Sequence, residues 1–217
     1  MFKIHLRLLV SAALLSCSTF AANSAFPEPA VDVQTPSVKG TQTAVLAGGC
    51  FWGVEAVYER IKGVKKVVSG FSGGQKSTAH YETVSTGSTG HAESVEITFD
   101  PTQISYGKLL MIYFSVAHDP TQLNRQGPDR GTQYRSAIFY TDDEQKRVAE
   151  AYVKQLDAAH VFSRPIVTQI VPLQAFYPAE AYHQHYLQNN LDNPYIVYND
   201  LPKLAALKKQ YPELCRR

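Results

Sequence analysis

Cysteine is scarce here, with three in 217 residues, alongside one tryptophan and two methionines. So little sulfur limits any disulfide framework to a single pair and makes the placing of each thiol informative. An excess of one charge is also lacking. Removing residues 1–25 takes Lys3 and Arg7 out of 21 basic side chains and leaves 19, against 19 acidic ones. With no dense Lys/Arg cluster, nothing favours nucleic acid or an anionic membrane as a partner. No internal repeat occurs, and no strand-like run is followed by G-x-G-x-x-G or a P-loop, which argues against a doubly wound nucleotide-binding fold.

Long apolar runs are absent too. The one at the N-terminus, in "MFKIHLRLLVSAALLSCSTFAANSA", follows Lys3 and Arg7, is too short to span a bilayer, and leads into small residues. Residues 1–25 are therefore expected to be a signal peptide cleaved after Ala21 or Ala25, which makes the protein exported and periplasmic. The alternative is a lipoprotein box that anchors the chain through Cys17. "FPEPAVDVQTPSVKGTQ", residues 26–42, is Pro-rich and unpatterned, and is expected to be a linker to a single domain over 43–217. Cys50 and Cys215 then remain, and in an oxidising compartment the default expectation is that they form a structural disulfide.

The pattern of the domain alternates strand and helix. Thr43–Ala47 is β-prone and stops at Gly48-Gly49, after which Val54, Val57, Tyr58 and Ile61 recur at helical spacing up to Gly63. "VKKVVSGF", "HAESVEITFD", "YRSAIFY" and "IVTQIVPL" are strand-like. Ser105 is placed to cap a helix, and Thr141 to Glu144 to form a capping box for another. "PAEAYHQHYLQ" and "PKLAALKKQ" are short terminal helices, while 72–90 and "DPTQLNRQGPDRGTQ" are loops. This order predicts an open mixed sheet with helices packed on it, an α/β (α+β) sandwich of split β-α-β type.

Cys50 sits between that Gly-Gly turn and the start of a helix. There the free N–H groups and the helix dipole favour thiolate over thiol, and hence a nucleophile. Phe51 and Trp52 follow, and adjacent helical residues point about 100° apart, so at least one, Trp52 by preference, should line an apolar wall beside the sulfur. In "AESVEITF" a period of two puts Glu93 on the core-facing side with Val95, Ile97 and Phe99. Burial there raises a carboxyl's pKa and makes it a proton donor. His118, next to Asp119, is a candidate thiol-polarising base or a helix cap. His183 and His185 are two apart on a predicted helix and do not share a face, so no metal site is expected of them.

Four motifs, "GGCFWGVE", "GHAESVEI", "AHDPTQLNRQGPDRGTQYRSAIFY" and "AYHQHYL", together resemble the A-type peptide-methionine sulfoxide reductases from about residue 43 to 203. The resemblance implies a two-layer ferredoxin-like sandwich that reduces the S epimer of methionine sulfoxide, in proteins and as the free amino acid. By motif, Cys50 would attack the sulfoxide sulfur, Glu93 would protonate its oxygen, Tyr81, Tyr134 and Asp129 would hold the polar side, and Phe51 and Trp52 would take the methyl group. No metal or organic cofactor is implied. An external thiol such as a thioredoxin-like protein would be the reductant, and a monomer is expected. The C-terminal tail departs from relatives with recycling cysteines and offers Cys215 alone, either as the resolver of a Cys50 sulfenic acid or as a bystander. Two rivals stand beside this reading. One is another thiol enzyme, a peroxidase or a hydrolase with His118 as base. The other is a non-catalytic exported module with a Cys50–Cys215 disulfide.

Overall fold

The structure, a computed structural model, describes residues 26–33 and 40–216. The signal-peptide and Cys17 expectations lie outside these residues. Six strands form one sheet in the order β7-β6-β1-β3-β2-β8. Its centre is β1 (Gln42–Gly48), β2 (Val64–Ser72), β3 (Ala92–Phe99) and β6 (Ser136–Tyr140). β3 lies antiparallel between β1 and β2, and β1 pairs antiparallel with β6. Helix α1 (Phe51–Glu59) makes the β1-to-β2 crossover, and α3 (Tyr106–Ile112) leads from β3 towards β6. This is the ferredoxin-like β-α-β-β-α-β arrangement expected from the motifs. Beyond it, α4 (Asp143–Ala158) returns the chain to β7 (Gln169–Pro172), which pairs parallel with β6, and β8 (Phe176–Pro178) closes the other edge against β2.

Alternation makes the layers. Ala44 and Leu46 of β1 join Val95, Ile97 and Phe99 of β3 in the main core, with Val54 and Val57 of α1, Leu109 and Ile112 of α3, and Val148 and Tyr152 of α4. Val45 and Ala47 point the other way, into a small cluster with Ala137 and Phe139. The helices contributing to the main core therefore cover one face, which gives two layers. Among the described residues no helix is long and apolar enough to cross a membrane.

Local signals mostly act where expected. Ser105 Oγ accepts from the Lys108 amide at 3.2 Å. The α4 cap is Asp142 rather than Thr141. Its Oδ1 accepts from the Gln145 amide at 2.8 Å, while Gln145 Oε1 accepts from the Thr141 amide, one residue before the cap. The cap thus sits one residue later than expected, and the return bond falls just outside a strict capping box. α2 (Tyr81–Val84) occupies the Ser/Gly-rich loop, and a hairpin of β4 (Arg125–Gln126) and β5 (Asp129–Arg130) occupies the long polar one. After a 3-10 turn at Ala181–His183, α5 is only Tyr186–Asn189, because His185 takes a left-handed φ of 54°. α6 (Leu201–Gln210) follows a π turn at Ile196–Asp200.

The linker expectation needs correction over 26–33. Phe26 packs edge-on against Phe162, Tyr152 donates to the Pro27 carbonyl at 2.6 Å, and Asp32 accepts from the Gly107 amide at 2.8 Å. A proline-rich composition conceals these few anchor points, each met by a partner far along the chain.

Candidate functional site

β1 and α1 meet at Gly48-Gly49. Gly49 has φ +88°, and a Cβ there would come within 2.5 Å of Gln126, so glycine is needed both for the turn and for the hairpin packed on it. Cys50 occupies the N-cap position of α1. β3 runs alongside, and Glu93 points from it under the helix start, where its Oε2 accepts the Phe51 amide at 3.0 Å. The acid is 2% exposed, on the same face as Val95 and Ile97. The strand-period argument therefore places it correctly.

A cavity of about 240 Å³ opens at this junction, lined by Cys50, Phe51, Trp52, Tyr81, Glu93, Asp129, Tyr134 and Tyr195. Every site residue expected from the sequence is brought here except Cys215 and the alternative base His118. Phe51 and Trp52 both line it: Phe51 packs on Phe71 at 5.8 Å, and Trp52 stacks on Tyr186 at 3.7 Å. The Trp52 indole N–H donates to His183 Nδ1 at 3.1 Å, which fixes that imidazole as the neutral tautomer protonated at Nε2. Tyr81 reaches the cavity from α2 with its ring 4.2 Å from the His183 ring.

Tyr195 was not expected. Its hydroxyl donates to Asp129 Oδ2 at 2.5 Å and holds that carboxylate at the wall. Asp200 and Lys203 were also missed. Their ion pair, 3.0 Å long, lies against Gly53 in the first turn of α1, where a Cβ would come within 2.1 Å of Asp200 Oδ1. The only sequence signal for these three is an aromatic–acid–lysine segment with no local reason to fold back.

The electrostatics correct one expectation. The helix start was expected to leave Cys50 as thiolate, yet burial pushes the thiol well above its usual value, and the charges of Glu93 and Asp200 add to this. The Trp52 amide and Lys203 act in the opposite direction without prevailing. Burial likewise raises Glu93 to about 8, against the pull of the Phe51 amide. Burial also raises Tyr81 and Tyr134, so both remain hydroxyl donors. At neutral pH the site is therefore a thiol beside an undissociated carboxyl, with phenolic donors around them. Such a site can protonate an oxygen while a sulfur nucleophile forms.

His118 does not join the site. Its Nδ1 lies 2.9 Å from the Tyr113 carbonyl, and burial lowers its pKa to about 3, which leaves it no capacity as a base near neutrality. Cys215 is at the other end of α1. It pairs with Ile61, just past the helix, while the Lys62 amide donates to Leu214 O at 2.8 Å and the Arg216 amide to Arg60 O at 2.7 Å. Nine residues of helix separate the two thiols, roughly 13 Å of rise, whereas a disulfide needs Cα atoms within about 7 Å. Both cysteines are free, so the structural-disulfide expectation does not hold.

A family model described as peptide methionine sulfoxide reductase matches residues 42–214. Peptide methionine sulfoxide reductase MsrA 2 of Mesorhizobium japonicum is 61% identical over 175 residues, covering 81% of this chain and 90% of that protein. Its namesake from Synechocystis is 54% identical, covering 86% and 88%. Among solved structures, reduced Mxr1 from Saccharomyces cerevisiae superimposes with a TM-score of 0.63 at 34% identity, covering 70% of this chain and 87% of that one. Methionine sulfoxide reductase A of Corynebacterium diphtheriae does so with 0.62 at 38% identity, covering 70% and 76%. The chain belongs to the A-type peptide methionine sulfoxide reductases, oxidoreductases that return methionine sulfoxide to methionine.

Proposed function

We propose that Cys50 and Glu93 carry out this reduction together on an S-configured sulfoxide. The observation that carries the reading is their convergence at one helix start, with the Glu93 carboxyl on the amide next to Cys50 in a shared cavity. The Cys50 sulfur attacks the sulfoxide sulfur as Glu93 delivers a proton to the oxygen, which Tyr81 and Tyr134 also hydrogen-bond. The protonated oxygen then leaves the substrate sulfur as water. A water oxygen adds to the Cys50 sulfur, giving a proton back to Glu93 and breaking the new S–S bond, so that methionine departs and Cys50 is left as sulfenic acid. Two electrons pass from the cysteine sulfur to the sulfoxide sulfur. The proton lost from the thiol balances the one that ends on the sulfenic oxygen. Phe51 and Trp52 hold the methyl group on one side, the acid and phenols hold the oxygen on another, and the substrate chain leaves through the open mouth. Fixing three directions around a tetrahedral sulfur selects one epimer.

For recycling, direct attack by an external thiol is favoured over Cys215, whose tail is paired to the far end of α1. A thioredoxin-like dithiol protein restores Cys50, releasing water and ending as its disulfide. Exported proteins bearing oxidised methionine, and free methionine sulfoxide, are the substrates we infer, because residues 1–25 have the form of a signal peptide. The test is an assay on the two separated epimers with wild type, Cys50→Ser and Glu93→Gln. Wild type should consume one epimer only and Cys50→Ser neither. Equal consumption of both by wild type would overturn the three-direction argument.

A further inference from the structure

Away from the cavity, the flank of α1 carries a cluster that the reaction does not use. Glu55 and Glu59 stand four residues apart on one helix face, and His185 lies against both. One ligand atom from each falls within 4.8 Å of the others. His185 Nδ1 is 2.5 Å from Glu59 Oε1 and 4.0 Å from Glu55 Oε1. The second oxygen of each carboxylate is occupied elsewhere. Glu55 Oε2 accepts the His185 amide at 3.1 Å, and Glu59 Oε2 accepts from Gln188 Nε2 at 2.7 Å. Both Oε1 atoms are thereby turned towards the imidazole, as carboxylates are when their outer oxygens are fixed to orient a metal ligand.

One atom here has no partner. Glu55 is 1% exposed, and its Oε1 has no hydrogen bond. The Ser69 hydroxyl, also buried, pulls on the Glu55 carboxyl as a weak donor, yet neither it nor Oε1 completes a hydrogen bond. An orphaned buried carboxylate oxygen is costly to a fold and calls for an explanation.

We propose that Glu55, Glu59 and His185 form a divalent transition-metal site, with Zn²⁺ the ion best suited to two carboxylates and an imidazole. Zinc bonds of about 2.0–2.2 Å put neighbouring ligand atoms roughly 3.4 Å apart in a tetrahedron. The two recorded separations bracket that value. His185 is 57% exposed and so free to adjust. The ion would replace the hydrogen bond between His185 and Glu59 and would supply the missing partner of Glu55 Oε1. A neighbouring cavity of about 420 Å³, lined by Glu59 and His185 and also by Lys65, Lys66 and Arg216, gives access, and water or an anion there can complete the shell. Such an ion would tie α1 to the segment that carries His183 and Tyr186, the two residues that hold Trp52. The proposal does not depend on the reaction proposed for Cys50.

The test uses the untagged chain with its three cysteines changed to serine, so that thiols do not compete, after treatment with a chelator. Titration with Zn²⁺ by calorimetry should give one site, with a rise in Tm and a change in the fluorescence of Trp52. His185→Asn keeps a residue tolerant of positive φ and should weaken binding at least about tenfold, as should Glu59→Gln. The proposal fails if Zn²⁺ binds no more tightly to the parent than to these two variants, whether through other histidines or not at all. The three side chains would then be an ion-paired triad only.

Discussion

Helix α1 has a cysteine at each end, and the two are built differently. At its start Cys50 is 8% exposed and faces a cavity shared with a buried acid and three phenols. Past its end Cys215 lies in an open hollow beside Arg60, Leu204 and Lys208, its sulfur donating to the Tyr211 carbonyl at 3.3 Å. Burial raises the pKa of both thiols. Acidity therefore does not favour Cys50. The difference is a buried proton donor: Glu93 accompanies Cys50, whereas among the described residues no carboxyl lines the hollow around Cys215 and the nearby Glu213 acts on that thiol only through its charge. Reactivity towards a sulfoxide needs the pair, because a sulfoxide oxygen leaves poorly until it is protonated.

The largest expected effect tests that comparison directly. Cys50→Ser should lower turnover by roughly four or more orders of magnitude, as loss of a covalent nucleophile does. Cys215→Ser should leave steady turnover with a thioredoxin-type donor little changed. If Cys215→Ser instead stops steady turnover while sparing one burst of methionine release, the tail must leave Ile61 and swing to the other end of the helix.

Glu93→Gln should come next, slowing turnover by about 10²–10⁴-fold. It should also stabilise the fold above neutral pH, and the sign follows from the pKa. Glu93 is raised from 4.5 to about 8 in the folded chain, so the folded state holds its proton more tightly than the unfolded state. That contribution is complete below about pH 4.5 and is lost as pH rises towards 8, a difference of order 4 kcal/mol. Glutamine can still accept the Phe51 amide and does not ionise. Denaturant melts at pH 5 and pH 8.5 should show the variant gaining on wild type at the higher pH. Wild-type turnover should fall above pH 8 as the donor ionises. A pH-independent stability difference would mean that Glu93 is not the buried acid described here.

Much of this was legible in sequence because it rests on local rules. The period of two turned Glu93 inward, Gly48-Gly49 marked the strand-to-helix turn, and the Ser105 cap formed as expected. Tyr81, Asp129 and Tyr134 came through the resemblance, since each stands in an element of only two to four residues, too short for periodicity to mark. Tyr195, Asp200 and Lys203 were missed because a π turn folds the C-terminal segment back on α1, a long-range event without a local signature. The thiolate expectation failed for a related reason. A helix dipole is a local property, whereas the enclosure of Cys50 and the charge of Asp200 are supplied by distant chain. The anchors at 26–33 were hidden likewise, because the partners of Phe26 and Asp32 lie far along the sequence.

The smallest effect probes that distant contribution. Asp200 is fully buried, its Oδ2 has no partner, and its Oδ1 pairs with Lys203 beside Gly53. At Cys50 the two charges act oppositely, Asp200 disfavouring the thiolate and Lys203 favouring it. Asp200→Asn should therefore speed alkylation of Cys50 by iodoacetamide at pH 8, and Lys203→Met should slow it, each by about tenfold or less, the equivalent of one pKa unit. Removing Lys203 also leaves a buried carboxylate unpaired, at a cost of about 3 kcal/mol, unless Asp200 takes up a proton. The rate measurement separates these two outcomes. A slower Lys203→Met means that Asp200 keeps its charge, whereas an unchanged rate with an unchanged melt means that it has become neutral. If both variants moved alkylation in the same direction, the pair would be acting on the packing of α1 rather than on the charge felt at its first turn.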